Sequence, residues 1–295
     1  MMETKKWHAF DIILAIFLGI LCLTCVLPFI NLLAVSFSGS TAVSAGKVGF
    51  LPVDFTLASY KYLLEDGSFF RAMLVSLERV VIGTLLNLAL CVLTAYPLAK
   101  PKGVLVGRGF YVVFFVITML ISGGLIPSYL LISSLGLRNT IWSLVLPGAL
   151  PVSNMIILMN FIRGLPVELD EAAAIDGANP LQTLFIIILP LLKPSLATVG
   201  LFCMVGHWND WFGGMIYMSD PAKYPLQTYM QSLLANFEVL LRSDSTHDIK
   251  ALLAVMNART GRAAQMFLGA LPIMLVYPFL QKYFTKGLVL GSVKG

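Results

Sequence analysis

The chain has 295 residues, of which 58% are hydrophobic and only 12% charged, with a formal net charge of +5. A soluble globule carries roughly a quarter charged residues, so this composition excludes one, and the long unbroken apolar runs exclude a β-barrel, whose strands alternate. Several runs reach the ~20 residues that cross a bilayer as a helix, and the modest basic excess suits the edges of a membrane protein rather than nucleic-acid binding.

The N-terminus, KKWHAFDIILAIFLGILCLTCVLPFINLLAVSFSG, joins two lysines to an apolar stretch of about 25 residues. That exceeds the ~7–15 residues of a signal-peptide core, so it reads as a retained first helix. Its C-x-x-C pair, Cys22 and Cys25, lies within the apolar run, as do Cys91 and Cys203. All four read as small apolar residues rather than redox or metal groups.

Six spans are predicted, over 10–35, 73–98, 109–132, 140–162, 192–218 and 263–284, in one membrane domain covering 1–295. An even count puts both termini on one side. The short connection 99–108 holds Lys100, Lys102 and Arg108 and no acid, and both termini carry lysines. Short basic loops set orientation, so the termini, 99–108 and the 163–191 loop are expected in the cytoplasm. Segments 36–72 and 219–262 then face outward. Residues 51–66 predict a short surface helix, and 224–257 one or two amphipathic helices broken near RSDSTHD. Gly123, Gly124 and Pro127 predict a bend in the third span. Arg79, near the outer end of the second, is expected to snorkel to the interface. Asn87 and Asn160 read as helix–helix contacts.

The 163–191 loop contains ELDEAAAIDGANP. Glu168, Asp170, Glu171 and Asp176 gather there, although the whole chain has only 15 acidic residues. Three of them fall in the first turn of a predicted helix, where the helix dipole favours negative charge. Ala172, Ala173 and Ala174 propagate the helix. Gly177 stands at a left-handed C-terminal position, and Asn179-Pro180 can start the next helix. Leu169, Ala172, Ala173 and Asp176 share one face. Spacing alone fits either a plain helical hairpin or a docking helix. No nucleophile or metal-ligand pattern accompanies the acids, so no catalytic residue and no metal site is predicted.

The segment EAAAIDGANPLQTLFIIILPLLKP resembles the EAA signature of permease subunits in ATP-binding-cassette importers. The matching residues are Glu171-Ala172-Ala173, Asp176-Gly177-Ala178 and Leu189-Pro190. LIPSYLLISSLGLRNTIWSLVLP and the tail QKYFTKGLVLGSVKG are similar to the maltose-type carbohydrate-uptake branch. The resemblance implies an all-α membrane fold of six transmembrane helices with a cytoplasmic coupling helix, the type I importer permease fold. It implies a second homologous permease, an ATPase dimer docking on the coupling helix, and an extracytoplasmic solute-binding protein delivering a sugar. Gly291, Lys294 and Gly295 in the tail are implied further ATPase contacts. ATP and magnesium would belong to the partner chains. The only Gly-Lys pair here, Gly46-Lys47, lacks the upstream glycine of a P-loop, and His8, His207 and His247 have no metal-ligand spacing.

The fifth predicted span contains GHWNDWFGG. If the helix runs to 218, Trp208, Asn209, Asp210 and Trp211 lie within the membrane, where polar groups mark a pathway or a partner. Their rings and hydrogen-bonding groups suit a sugar. If the helix ends near 206, the same residues form an interfacial belt. Two rival functions remain at this level: an importer permease for a non-sugar solute, and an ion-coupled secondary transporter with Asp210 as its coupling carboxylate.

Overall fold

A computed structural model describes residues 9–64, 67–101, 103–242 and 259–275. The described residues form helices and turns, with no strand among them. Two compact units result, Met1–Gly67 with Ser232–Leu271 and Ser68–Gln231 with Pro272–Gly295.

The first unit opens with α1 (Ala9–Ser36), 28 residues long and apolar on all sides. Its most apolar stretch is unburied among the described residues, as befits a helix whose surroundings are lipid or other subunits. Beyond it come α2 (Ser40–Ser44) and α3 (Ala58–Leu64). The Phe37 ring stacks on Phe55 and on Tyr60, with centroids 5.5 and 4.9 Å apart. Ser36 gives its hydroxyl proton to the Leu33 carbonyl, so Tyr60 is the donor in the 2.7 Å bond between Tyr60 and Ser36.

The second unit is organised around α4 (Ser68–Ala99). The chain continues through α5 (Arg108–Leu120), α6 (Leu125–Ser134), α7 (Ile141–Val145), α8 (Val152–Arg163) and α9 (Glu168–Ile175). Then follow α10 (Pro180–Gln182), a π-helical stretch Thr183–Ile188, α11 (Leu189–Leu191), α12 (Lys193–Asn209) and α13 (Phe212–Tyr217). Next comes α14 (Leu226–Arg242), which begins here, and the chain is helical again over 259–275. Helices α4, α8 and α12 pack together around Cys91, Ala95, Met155, Leu158, Val199 and Cys203. Leu184, Ile188 and Leu192 bury into the same core, so the chain leaving α9 is anchored there.

Among the described residues only α1 and α4 are long and apolar enough to cross a membrane as single helices. Three bent pairs qualify together: α5 with α6 (108°), α7 with α8 (52°) and the α10–α11 segment with α12 (83°). The first bend lies at Gly123-Gly124, where Gly124 adopts φ 85°, ψ 171°, a conformation open to glycine. The last lies at Leu192, between Pro190 and Pro194 and beyond the π-helical stretch, and proline is a common cause of kinks. At the other end of α4, Arg108 Nε and Arg163 Nη2 both donate to the Leu98 carbonyl, at 2.8 and 3.2 Å. Cations there also complement the helix dipole.

The fifth predicted span needs correction. Its helix stops at Asn209 and restarts at Phe212, with Asp210 extended between them. The sixth is helical over 259–275. The rest of that span, and Gly291, Lys294 and Gly295 in the tail, lie outside the described residues.

Candidate functional site

The acidic stretch forms α9, with Glu168, Asp170 and Glu171 in its first turn. Its exit is a Schellman motif: Ala178 N–H donates to the Ala173 carbonyl at 2.9 Å, and Gly177 N–H to the Ala174 carbonyl at 3.1 Å. Gly177 sits at φ +72° with open space around the position of a Cβ, so the constraint is backbone conformation rather than crowding. Asn179 and Gln182 then cap α10 reciprocally, each bond 2.9 Å, with Pro180 in its first turn.

The faces of α9 differ from the expectation. Leu169, Asp170 and Ala173 turn inward, and Ala173 is only 2% exposed. Asp170 accepts from Lys100 Nζ at 2.5 Å, and that ammonium also lies 4.1 Å from the Tyr96 ring centroid. Ala172 and Asp176 are exposed instead. The physical reason is that an alanine run has no apolar gradient to choose a face. The ion pair and the aliphatic Leu169 choose it. Glu168, Glu171, Ala172 and Ile175 are left as an outward stripe at i, i+3, i+4, i+7 spacing, with Ile175 86% exposed. Ala173 is therefore a packing residue and not part of an outer contact surface. Leu189 packs against the α4–α8–α12 core, while Pro190 is exposed.

The second candidate region is a cavity of about 290 Å³ between α4, α7, α8, α12 and α13. Arg79 enters it from α4. It is 2% exposed and does not snorkel. Its guanidinium pairs with the Asp210 carboxylate and donates to the Asp210 carbonyl at 2.7 Å and the Leu144 carbonyl at 3.3 Å. Asp210 Oδ1 accepts from Gly213 N–H at 3.0 Å and so holds the start of α13. Glu78, the neighbour of Arg79, points to the exposed side, as adjacent helical positions must diverge.

Deeper in the cavity, Asn87 Nδ2 donates to the Gly148 carbonyl at 2.7 Å. That bond orients the amide, leaving Asn87 Oδ1 to accept from His207 Nε2 at 2.7 Å. His207 can lie this close to α4 because residue 83 is glycine: a Cβ there would come within 2.6 and 2.7 Å of His207 Cε1 and Cδ2. Ser143, Asn154 and Tyr217 complete the polar lining.

The four predicted pathway residues do not converge. Asp210 faces the polar cavity. Trp208, two residues earlier, is buried in a separate apolar cavity of about 700 Å³ with Leu77, Val80 and Val81. Asn209 and Trp211 are exposed. The helix break at Asp210 and the 100° step between residues separate them. Sequence reading therefore missed Arg79 and His207 as cavity residues, and read Asn87 only as a helix contact. The available signal was an ionisable residue inside each of two predicted spans.

Residues 104–289 match the family model described as "Binding-protein-dependent transport system inner membrane component". The chain belongs to this family. It is a membrane transport component of ATP-binding-cassette importers, which work with a separate ATPase and a solute-binding protein. The chain is 40% identical over 297 residues to the protein LplC of Bacillus subtilis (strain 168), covering 100% of this chain and 98% of that protein. It is 38% identical over 292 residues to YtcP of the same organism, a polygalacturonan/rhamnogalacturonan transport system permease, covering 98% and 100%. A solved structure of a bacterial ABC transporter involved in the import of the acidic polysaccharide alginate matches with a TM-score of 0.82. Its identity is 30%, over 96% of this chain and 99% of that one. As an importer permease, the chain is a cell-membrane protein built of transmembrane helices.

Proposed function

We propose that this permease carries an oligosaccharide across the cell membrane, handed over by an extracytoplasmic binding protein and driven by ATPase subunits that dock on α9. The observation that carries the reading is the two-sided build of α9. Its inner face is tied to α4 by Asp170–Lys100 and to the core by Ala173 and the segment beyond Gly177. Its outer stripe, Glu168, Glu171, Ala172 and Ile175, has no cover among the described residues. An apolar knob flanked by carboxylates suits a cleft with basic walls. ATP and magnesium belong to that partner. A second, homologous permease completes the path, the termini and α9 face the cytoplasm, and the tail through Gly291, Lys294 and Gly295 adds a further ATPase contact. The polar cavity at Arg79, His207 and Asp210 is the part of this chain nearest in character to a solute path, since its hydrogen-bonding groups suit hydroxyls.

The names of similar proteins support a saccharide: one concerns polygalacturonan and rhamnogalacturonan, another the acidic polysaccharide alginate. The test is to purify the chain with its co-expressed subunits and reconstitute it. ATP hydrolysis is then followed with binding protein loaded from a panel of uronate-bearing and neutral oligosaccharides. Copurifying ATPase and stimulation by one saccharide class are expected. ATPase-free purification, with uptake abolished by an ionophore, would favour the ion-coupled alternative. Stimulation by a non-saccharide solute alone would overturn the substrate class.

A further inference from the structure

The segment after α2 turns back along α1 instead of leaving the membrane face. Asn31 Nδ2 donates to the Gly49 carbonyl at 2.6 Å. Asn31 lies five residues before the end of α1, so at 1.5 Å per residue Gly49 is held about 7 Å back along the helix from that end. The following strand of chain returns: Gly39 N–H donates to the Val53 carbonyl at 3.0 Å, Val53 N–H to Ser38 Oγ at 3.0 Å, and Thr56 N–H to the Phe37 carbonyl at 2.9 Å. Residues 49–52 are thus the tip of a loop pinned at three levels, and the tip points down the flank of the first span.

The tip carries no charge between Lys47 and Asp54, reading VGFLPV. Phe50 and Leu51 project from it unpacked, Leu51 78% exposed, and Phe55 and Leu57 continue the same uncovered apolar surface. Large apolar groups held rigidly in the open at this level need a cover. The cover that the position dictates is the bilayer itself. Asp11 and Asn31 bracket a stretch of α1 whose one polar side chain is Thr24. At 1.5 Å per residue they lie about 30 Å apart, the thickness of the hydrocarbon layer, which places Asn31 at its edge and the tip beside it, with Leu32–Val35 continuing beyond. An amide there is costly without a partner, and the Gly49 carbonyl supplies one, which explains why the loop is fastened at this point. Phenylalanine and leucine seated at the boundary of headgroups and acyl chains are the side chains that interfacial anchors use.

We infer that residues 49–52 form a membrane-interface anchor, with Phe50 and Leu51 inserted in the leaflet at the C-terminal end of α1. This rests only on α1 crossing the membrane and is independent of solute and orientation.

The test uses the full chain with its accompanying subunits in liposomes, with the four native cysteines replaced. Single nitroxide labels are placed at Phe50→Cys, Leu51→Cys, Phe29→Cys as a reference on the exposed flank of α1, and Lys61→Cys as an aqueous reference. Relaxation by oxygen and by a water-soluble nickel chelate is then compared. The expected result is an oxygen-to-nickel ratio at 50 and 51 several-fold above that at 61 and approaching that at 29. A ratio equal to that at 61 overturns the anchor. So does shielding from both reagents, which would show that a second permease or the binding protein covers the tip.

Discussion

Arg79 and Asp210, 131 positions apart, close an ion pair that joins the middle of α4 to the break between α12 and α13. Two backbone carbonyls, of Leu144 and Asp210 itself, accept from the same guanidinium, whose Nε is buried without a partner. The same carboxylate starts α13 through Gly213. Losing Asp210 therefore removes a counter-ion and a helix start together.

The asymmetry of a buried pair gives the first prediction. Breaking a fully buried pair from one side costs about 3–5 kcal/mol. The Asp210 side chain is 38% accessible, so water relieves part of this, and Asp210→Ala should cost about 2–3 kcal/mol. Arg79→Met combined with Asp210→Ala should recover part of the loss, because no lone guanidinium remains. Thermal unfolding of the purified protein checks this; a double variant less stable than Asp210→Ala would refute the pairing.

Gly83 and His207 supply a second cycle. Gly83→Ala forces the imidazole away from α4 and from Asn87, an overpacking cost of about 1–3 kcal/mol. Removing the ring should relieve it, so Gly83→Ala with His207→Ala should unfold at a higher temperature than Gly83→Ala alone. Equal or lower stability of the pair would count against the contact.

At the α9 exit, residue 177 must adopt positive φ without being crowded. Gly177→Asn should keep solute uptake, since asparagine tolerates that conformation. Gly177→Val should reduce uptake sharply while protein remains in the membrane. Uptake assays on membranes of matched expression separate the two, and indistinguishable variants would remove backbone geometry as the constraint.

Lys100 fastens α9 from within. The pair with Asp170 is partly exposed, so Lys100→Met should loosen the helix by about 1 kcal/mol. Amide exchange of 168–175 would then quicken by about fivefold relative to the core helices. Unchanged exchange would mean that Ala173 and Leu169 suffice to seat α9.

The outer stripe is the remaining target. Ile175→Asp should leave the fold intact, because the side chain touches little of its own chain. It should strongly reduce ATPase recovered on purification. Full recovery would move the docking surface elsewhere.

What the sequence could convey divides along the same line as these tests. Gly177, Asn179-Pro180 and Gly123-Gly124 act through backbone conformation within a few residues, and their turns and bend were legible before any tertiary contact was considered. The inward face of α9 was not. Three consecutive alanines carry no preference, and the residue that decides, Asp170, finds Lys100 70 positions away. Arg79 likewise read as a snorkelling cation because its partner is remote. Trp208 to Trp211 looked like one recognition wall because neighbours in sequence were imagined as neighbours in space, and a helix break with a 100° step disperses them.

The Leu98 carbonyl, receiving both Arg108 and Arg163, has a mechanical meaning. It is one oxygen on which the end of α4, the start of α5 and the end of α8 all meet. Parting α5 from α8 at that point breaks at least one of these charge-assisted bonds, each about 1.5–3 kcal/mol, and freeing the end of α4 breaks both. The bundle is stapled at one end, and a motion that opens it costs least when it pivots about that staple.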